Sequence, residues 1–296
     1  MERALVPEKV GILGRFLAAV KWYGAEGYMT MVGGLIVFAI ITISLLSAFY
    51  PGMAPYDPEK GVGTPFSSPS RQHLMGTDNL GRDVFSRIIY GAKVVMAVAL
   101  LSSVFSAAVG IPLGLVSGFL GGKVDRVLSL IMDSIYAFPG LILAIAMAAM
   151  LGPGVINMSI AIAVVYIPTY FRMVRGQVLS VKEELYVEAA RSLGARAATI
   201  LRLYVFPNVI PSVVVVFSVN IADAILTEAG LSFLGLGIDP SLPDWGYDLS
   251  RGKAYLPGGY WWIITFPGMM IALVALGFSM LGEGLNEILN PRLTEK

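Results

Sequence analysis

Six stretches of this chain are long, apolar and almost free of charge, and that pattern leaves few folds open. They cover residues 29–50, 94–117, 127–151, 153–171, 209–235 and 260–282. A bilayer core about 30 Å thick takes about 20 apolar residues as helix. Within the six, only Asp133, Asp223 and Glu228 carry formal charge. None alternates with period two over a barrel strand's length, so helices are expected. Trp261 and Trp262 open the sixth stretch, where an aromatic belt would sit. The expected fold class is an all-α integral membrane protein with six transmembrane helices.

Composition narrows the function. The chain is 56% hydrophobic and 14% charged, with mean hydropathy +0.74. A soluble domain with these proportions would lack polar residues to cover its surface. A net charge of +1 gives no polyanion signal, so nucleic acid is not an expected partner. There is no cysteine and one histidine, which leaves no disulfide frame, thiolate zinc site or histidine cluster. His73 lies among Pro, Ser and Arg and reads as a solvated loop residue. No catalytic, cofactor or metal residue is expected on this chain.

Basic residues set an expected orientation. One side carries segments 1–28, 118–126, 172–208 and 283–296, with 14 Lys and Arg; the other carries 51–93, 152 and 236–259, with 7. The positive-inside rule places the first side, with both termini, in the cytoplasm. The chain then divides into an N-terminal segment 1–28, a six-helix domain 29–282 and a C-terminal tail 283–296. The apolar run of the first span is too long for the core of a cleaved signal peptide. Residues 8–23 read as a short amphipathic helix lying on lipid.

Several features read as architecture. Gly110, Gly114 and Gly118 form a small-xxx-small ladder that lets helix backbones approach. Pro112, Pro139, Pro168, Pro211 and Pro267 lie in or near spans and can kink them. The stretch 118–124 fails as a phosphate loop, because Ser117 and Val124 stand where the first glycine and the hydroxyl belong. The intramembrane acids have two readings. Asp133 and Glu228 are each two turns from a span end and could reach water. Asn220 and Asp223, three residues apart, form the deepest polar pair and could bond between helices or line a pathway.

Two polar segments carry more. In Gly76-Thr-Asp78-Asn-Leu-Gly81-Arg82-Asp83, Arg82 lies between acids that could fix its guanidinium. That segment either shapes a turn into a helix over 84–93 or receives a partner. In the 172–208 loop, residues 182–192 are strong helix formers, Gly194 permits a bend, 195–204 resume helix, and Pro207 marks a turn into the next span. Such an elbow suits docking into a partner's groove, with Glu188 and Arg191 sharing a face; a plain amphipathic surface loop has the same composition.

Glu188-Ala189-Ala190-x-x-x-Gly194, followed by Pro207, resembles the EAA loop of bacterial and archaeal ABC-importer permeases. The segment 76–83 resembles the outer-loop signature of the dipeptide/oligopeptide permeases, second membrane subunit. Gly121-Gly122-x-Val124-Asp125, Asp133 and Ala137-Phe138-Pro139 are similar to that family's third-span stretch. So are 231–237 with Pro240, Pro243, Trp245 and Gly246, and Gly282-x-Gly284-Leu285 with Pro291-Arg292. The likeness covers about residues 30–293. Three departures are mild: Phe206 before Pro207 for the usual Leu, Glu283 for Asp, and Asn290 for Asp.

The resemblance implies a type I ABC-importer permease and a mechanism. A solute-binding protein outside delivers di- or oligopeptide, oligosaccharide or nickel complex to a pore shared with a sister permease. Two ATPase subunits, carrying ATP and Mg, drive it through the coupling loop around Glu188, Ala189, Ala190, Arg191, Gly194 and Pro207. Gly76, Asp78, Gly81, Arg82, Asp83 and Trp245 are then outer-loop residues for the gate or the binding protein. Two other classes remain: an ion-coupled secondary transporter using Asp133, Asp223 or Glu228, and a static membrane scaffold.

Overall fold

The computed structural model describes residues 24–50 and 52–289. The expected amphipathic helix over 8–23 and the Pro291-Arg292 motif lie outside these residues. Among the described residues the fold is helical, with one isolated antiparallel bridge between Thr77 and Asp83.

The long elements are α1 (Gly24–Phe49), α2 (Val84–Leu120), α3 (Gly122–Tyr136), α4 (Gly140–Leu151), α5 (Val155–Val181), α8 (Phe206–Phe233) and α10 (Trp262–Leu289). Short helices α6 (Leu185–Ser192) and α7 (Ala197–Ile200) lie between α5 and α8, and α9 (Trp245–Gly252) lies between α8 and α10. Among the described residues, five helical runs are long and apolar enough to cross a membrane, or six if α3 and α4 form one bent span.

Three expected boundaries change. The second span begins at Val84, so the separate helix over 84–93 is its first turns; the 37 residues rise about 55 Å and exceed the hydrocarbon core. The third span is broken by 88° between Tyr136 and Gly140. Pro139 stands at that break as the residue before α4 and offers no amide donor. The fourth helix runs on to Val181, so Arg172 and Arg175 sit on a helix and not in a loop.

Glycines set how closely the helices cross. A Cβ on Gly110 would lie 2.7 Å from Ile167 O, on Gly114 2.7 Å from Phe171 O, and on Gly118 2.8 Å from Val178 Cβ. The ladder therefore seats α2 against α5 backbone to backbone. Gly33 does the same for α1, where a Cβ would lie 2.7 Å from Gly277 O of α10. Small residues fill the central core where these helices meet: Ala92 and Ala99 of α2, Ala144 and Ala148 of α4, Ala161 of α5 and Ala224 of α8.

Among the described residues, Pro112, Pro168, Pro211 and Pro267 lie in the interior of α-helices. Pro207 behaves differently from expectation. It marks no turn, because helix runs on from α7 through a π-type turn, Leu201–Val205, into α8. The wider turn absorbs a residue whose ring and missing amide break regular pairing one turn back.

Candidate functional site

At one end of the bundle, α6 and α7 form a compact elbow. Val187, Ala190 and Ile200 pack with Val174 and Val178 of α5, with Val205 of the π-type turn and with Val209 of α8. These seven buried residues form a core separate from the main one. The elbow is thus fixed to two long helices at once.

The bend at Gly194 is a Schellman cap. Gly194 has φ +85°, its amide donates to Arg191 O at 3.0 Å, and the Ala195 amide donates to Ala190 O at 3.0 Å. A Cβ on Gly194 would meet nothing within 4 Å. The glycine serves backbone conformation, and its free flank faces outward.

The residues expected to couple separate into two sets. Ala190 is buried and seats the elbow on its own core, correcting its expected place at the docking tip. Glu188, Ala189, Arg191, Gly194 and Pro207 are exposed. Glu188 and Arg191 form no ion pair with each other; the described ion pairs lie elsewhere. The largest apolar exposures here went unread in the sequence: Leu185 at 81% and Leu193 at 88%. Leu185 lies inside the helix-forming run 182–192 and Leu193 between that run and Gly194, each an aliphatic residue close to Glu188 or Gly194.

The acids of α3 face this end. Asp133 Oδ1 accepts from Arg172 at 2.8 Å, and Arg172 also lies 3.9 Å over the Tyr136 ring. Asp125 accepts from Arg175 and from Ser117 Oγ. Asp133 is exposed and ion-paired, not buried among apolar helices.

The opposite end is a buried plate. Asp83 caps α2: its Oδ2 accepts the Ser86 amide at 2.8 Å and Ser86 Oγ at 2.7 Å, while its Oδ1 lies 2.9 Å from His73 Nδ1. His73 is 4% exposed, with its ring tilted by 36° against Tyr56 at 4.9 Å, which corrects the solvated reading. Asp78 Oδ2 accepts from Arg82 Nε at 2.6 Å, and its Oδ1 takes the amides of Leu80 and Arg82. Of the two flanking acids only Asp78 holds Arg82. Gly76 and Gly81 take φ +75° and +72°, which set the turns of this segment.

The plate joins distant segments. Trp245 is fully buried and its Nε1 donates to Ile88 O at 3.0 Å. Trp262 Nε1 donates to Thr77 O at 3.0 Å. Arg87, which sequence reading passed over, is 1% exposed. It forks onto both oxygens of Asp248 and reaches Pro58 O at 2.9 Å and Leu242 O at 3.3 Å. Burial pushes the Asp248 carboxyl up, and the Arg87 guanidinium opposes that shift. Asp78, Arg82, Asp83 and Trp245 are all buried, so in this conformation they shape the plate and present nothing to a docking protein.

The intramembrane polar residues part company. Asn220 is 3% exposed with its Oδ1 unbonded, whereas Asp223 on the same helix is exposed. Although three residues place both near one face of α8, Asn220 is packed inside the protein and Asp223 lies on an open flank. Glu228, two turns from a span end and read as able to reach water, is fully buried and bonds to Ser232. Among the described residues no group of three or more His, Asp or Glu could hold a metal ion.

The chain is similar to known transporters. It is 38% identical over 268 residues to the glutathione transport system permease protein GsiD of Pectobacterium atrosepticum, covering 90% of this chain and 88% of that one. The same-named protein of Escherichia coli is 39% identical over 268 residues, with 90% and 87% covered. A solved structure of the MetNI methionine ABC transporter in inward-facing conformations superposes with TM-score 0.55 at 17% identity, covering 70% of this chain and 98% of its counterpart. That likeness shows a shared fold. Residues 110–295 match a family described as the binding-protein-dependent transport system inner membrane component, and the chain belongs to that family.

Proposed function

We propose that this permease subunit of an ABC importer carries peptide-type solutes, forming half of a pathway completed by a sister permease. The elbow around Glu188–Gly194 faces the cytoplasm and docks into an ATPase subunit. The 52–83 segment and α9 face outward, where a solute-binding protein delivers cargo. ATP and Mg act on the ATPase subunits, and this chain transmits force without chemistry of its own.

One observation carries the reading: an elbow with exposed Leu185 and Leu193 is cemented to α5 and α8 at the bundle's end. A push on that elbow moves two long helices together. Peptides are preferred over oligosaccharides or nickel complexes because the similar permeases are named for glutathione, a tripeptide.

Membrane vesicles holding the chain with its sister permease, ATPases and binding protein test this with labelled glutathione and tripeptides. ATP-dependent uptake that survives collapse of the membrane potential is expected. Uptake by this chain alone, driven by the potential, would establish a secondary transporter instead. ATP-dependent uptake of oligosaccharide but not peptide would keep the mechanism and change the cargo.

A further inference from the structure

Glu228 and Asp244 come from different elements, and one serine hydroxyl lies between them. Ser232 Oγ is 3.1 Å from Glu228 Oε1 and 3.0 Å from Asp244 Oδ2. Glu228 and Asp244 are 0% exposed, and Ser232 is 1% exposed. Asp244 caps α9, its Oδ1 accepting the Tyr247 amide at 2.8 Å. Glu228 Oε2 meets no donor.

A hydroxyl has one proton to donate. It satisfies one carboxylate; the other short contact would then join two acceptors. The pair of contacts therefore needs one proton beyond the hydroxyl's own. Among the described residues no cation bonds to either carboxylate. Arg87 on α2 is taken by Asp248, Pro58 O and Leu242 O, and Arg82 by Asp78. Arg251 lies over the Tyr247 ring and Lys253 over the Phe233 ring. Tyr166 of α5 bonds to Thr227. The stretch of α10 packed on α9 around Ile263 and Ile264 carries no titratable group.

We propose that Glu228, Ser232 and Asp244 form a buried proton site, with Glu228 held as the neutral acid. The Glu228 hydroxyl donates to Ser232 Oγ, the Ser232 hydroxyl donates to Asp244 Oδ2, and the Tyr247 amide completes Asp244. This order accounts for the unbonded Oε2, since a neutral carbonyl oxygen tolerates dry surroundings far better than a charged one. The chain of bonds latches α9 to the end of α8. Gly246 beside it is pressed on Ala229, where a Cβ would lie 2.5 Å from Ala229 O, and Trp245 reaches α2. Loss of the proton would set two carboxylates against one hydroxyl and release the latch, whatever solute is carried.

The test uses the full chain in lipid nanodiscs, comparing wild type with Glu228→Gln, whose amide still donates to Ser232 at any pH. The infrared difference spectrum at neutral pH should show a protonated-carboxyl C=O band present in wild type and lost in the variant. Ser232→Ala, which removes the acceptor, should shift that band to higher frequency. Thermal stability of wild type should fall as pH rises through deprotonation of Glu228, while Glu228→Gln stays flat. A neutral-pH spectrum without that band, a band unmoved by Ser232→Ala, or the same alkaline loss in both proteins would each overturn the proposal.

Discussion

Arg87 holds four segments with one side chain: α2, which carries it, α9 through Asp248, and two loops through Pro58 and Leu242. Removing one partner of a buried ion pair typically costs about 3–5 kcal/mol, because the other charge stays buried. Arg87→Ala should therefore lower the thermal stability of the purified protein by an amount in that range. Arg87→Lys should recover only part of it, since an ammonium cannot reproduce the fork on both Asp248 oxygens. A melting temperature for Arg87→Ala equal to wild type would remove Arg87 from this role. The sequence made the cluster Asp78, Arg82 and Asp83 visible, but not its burial. A polar segment has the same composition whether water or neighbouring backbone satisfies it, and His73 was misplaced for that reason. Arg87 stayed hidden because its partner is 161 residues away, far beyond any local pattern.

Helix crossings depend on glycine in a way that separates two kinds of position. Gly114 faces the α5 backbone, with 2.7 Å between a Cβ there and Phe171 O. Overpacking a closed contact costs about 1–3 kcal/mol, and more where backbone must move. Gly114→Leu should thus destabilise the protein by at least that, while Gly176→Ala, on an exposed and open face of α5, should be neutral or stabilising. Equal melting of both variants would show that the ladder does not set the α2–α5 distance. At Gly194 the space is free and the backbone is the constraint. Gly194→Ala should cost about 1–2 kcal/mol through left-handed strain alone, with Gly194→Asn milder, as read by local hydrogen exchange of residues 185–200. The ladder was legible because its four-residue spacing is a helical period. Helix ends were less so: hydropathy stops at the first charge, whereas α2 and α5 continue through Arg87, Arg172 and Arg175, whose heads find ion pairs. The break at Pro139 could be seen as a proline but not as an 88° bend, which follows from how α3 and α4 pack.

The whole molecule has two differently built ends, and the proposed topology puts the elbow end in the cytoplasm. The absence of cysteine allows single-site labelling at exposed positions. Leu80→Cys and Asp239→Cys should react with an impermeant thiol reagent in intact cells, and Leu193→Cys only after permeabilisation; the reverse pattern would invert the topology. Coupling is the sharper question, because force can pass only where the elbow meets another protein. Its polar residues are exposed and unpaired with each other, so charge removal at Glu188 or Arg191 should weaken docking slightly, as for rim charges. Leu193 is different: an aliphatic side chain 88% exposed on a rigid bend can serve as an apolar anchor in a partner's pocket. Loss of such an anchor costs about 2 kcal/mol, or about 30-fold in affinity. Leu193→Asp touches no part of the buried elbow core around Val187 and Ala190, so the chain should insert and melt as wild type does. Co-purified ATPase subunits and ATP-driven uptake should both fall steeply. If Leu193→Asp keeps its full complement of ATPase and transports normally, the elbow is not the surface through which this permease is driven.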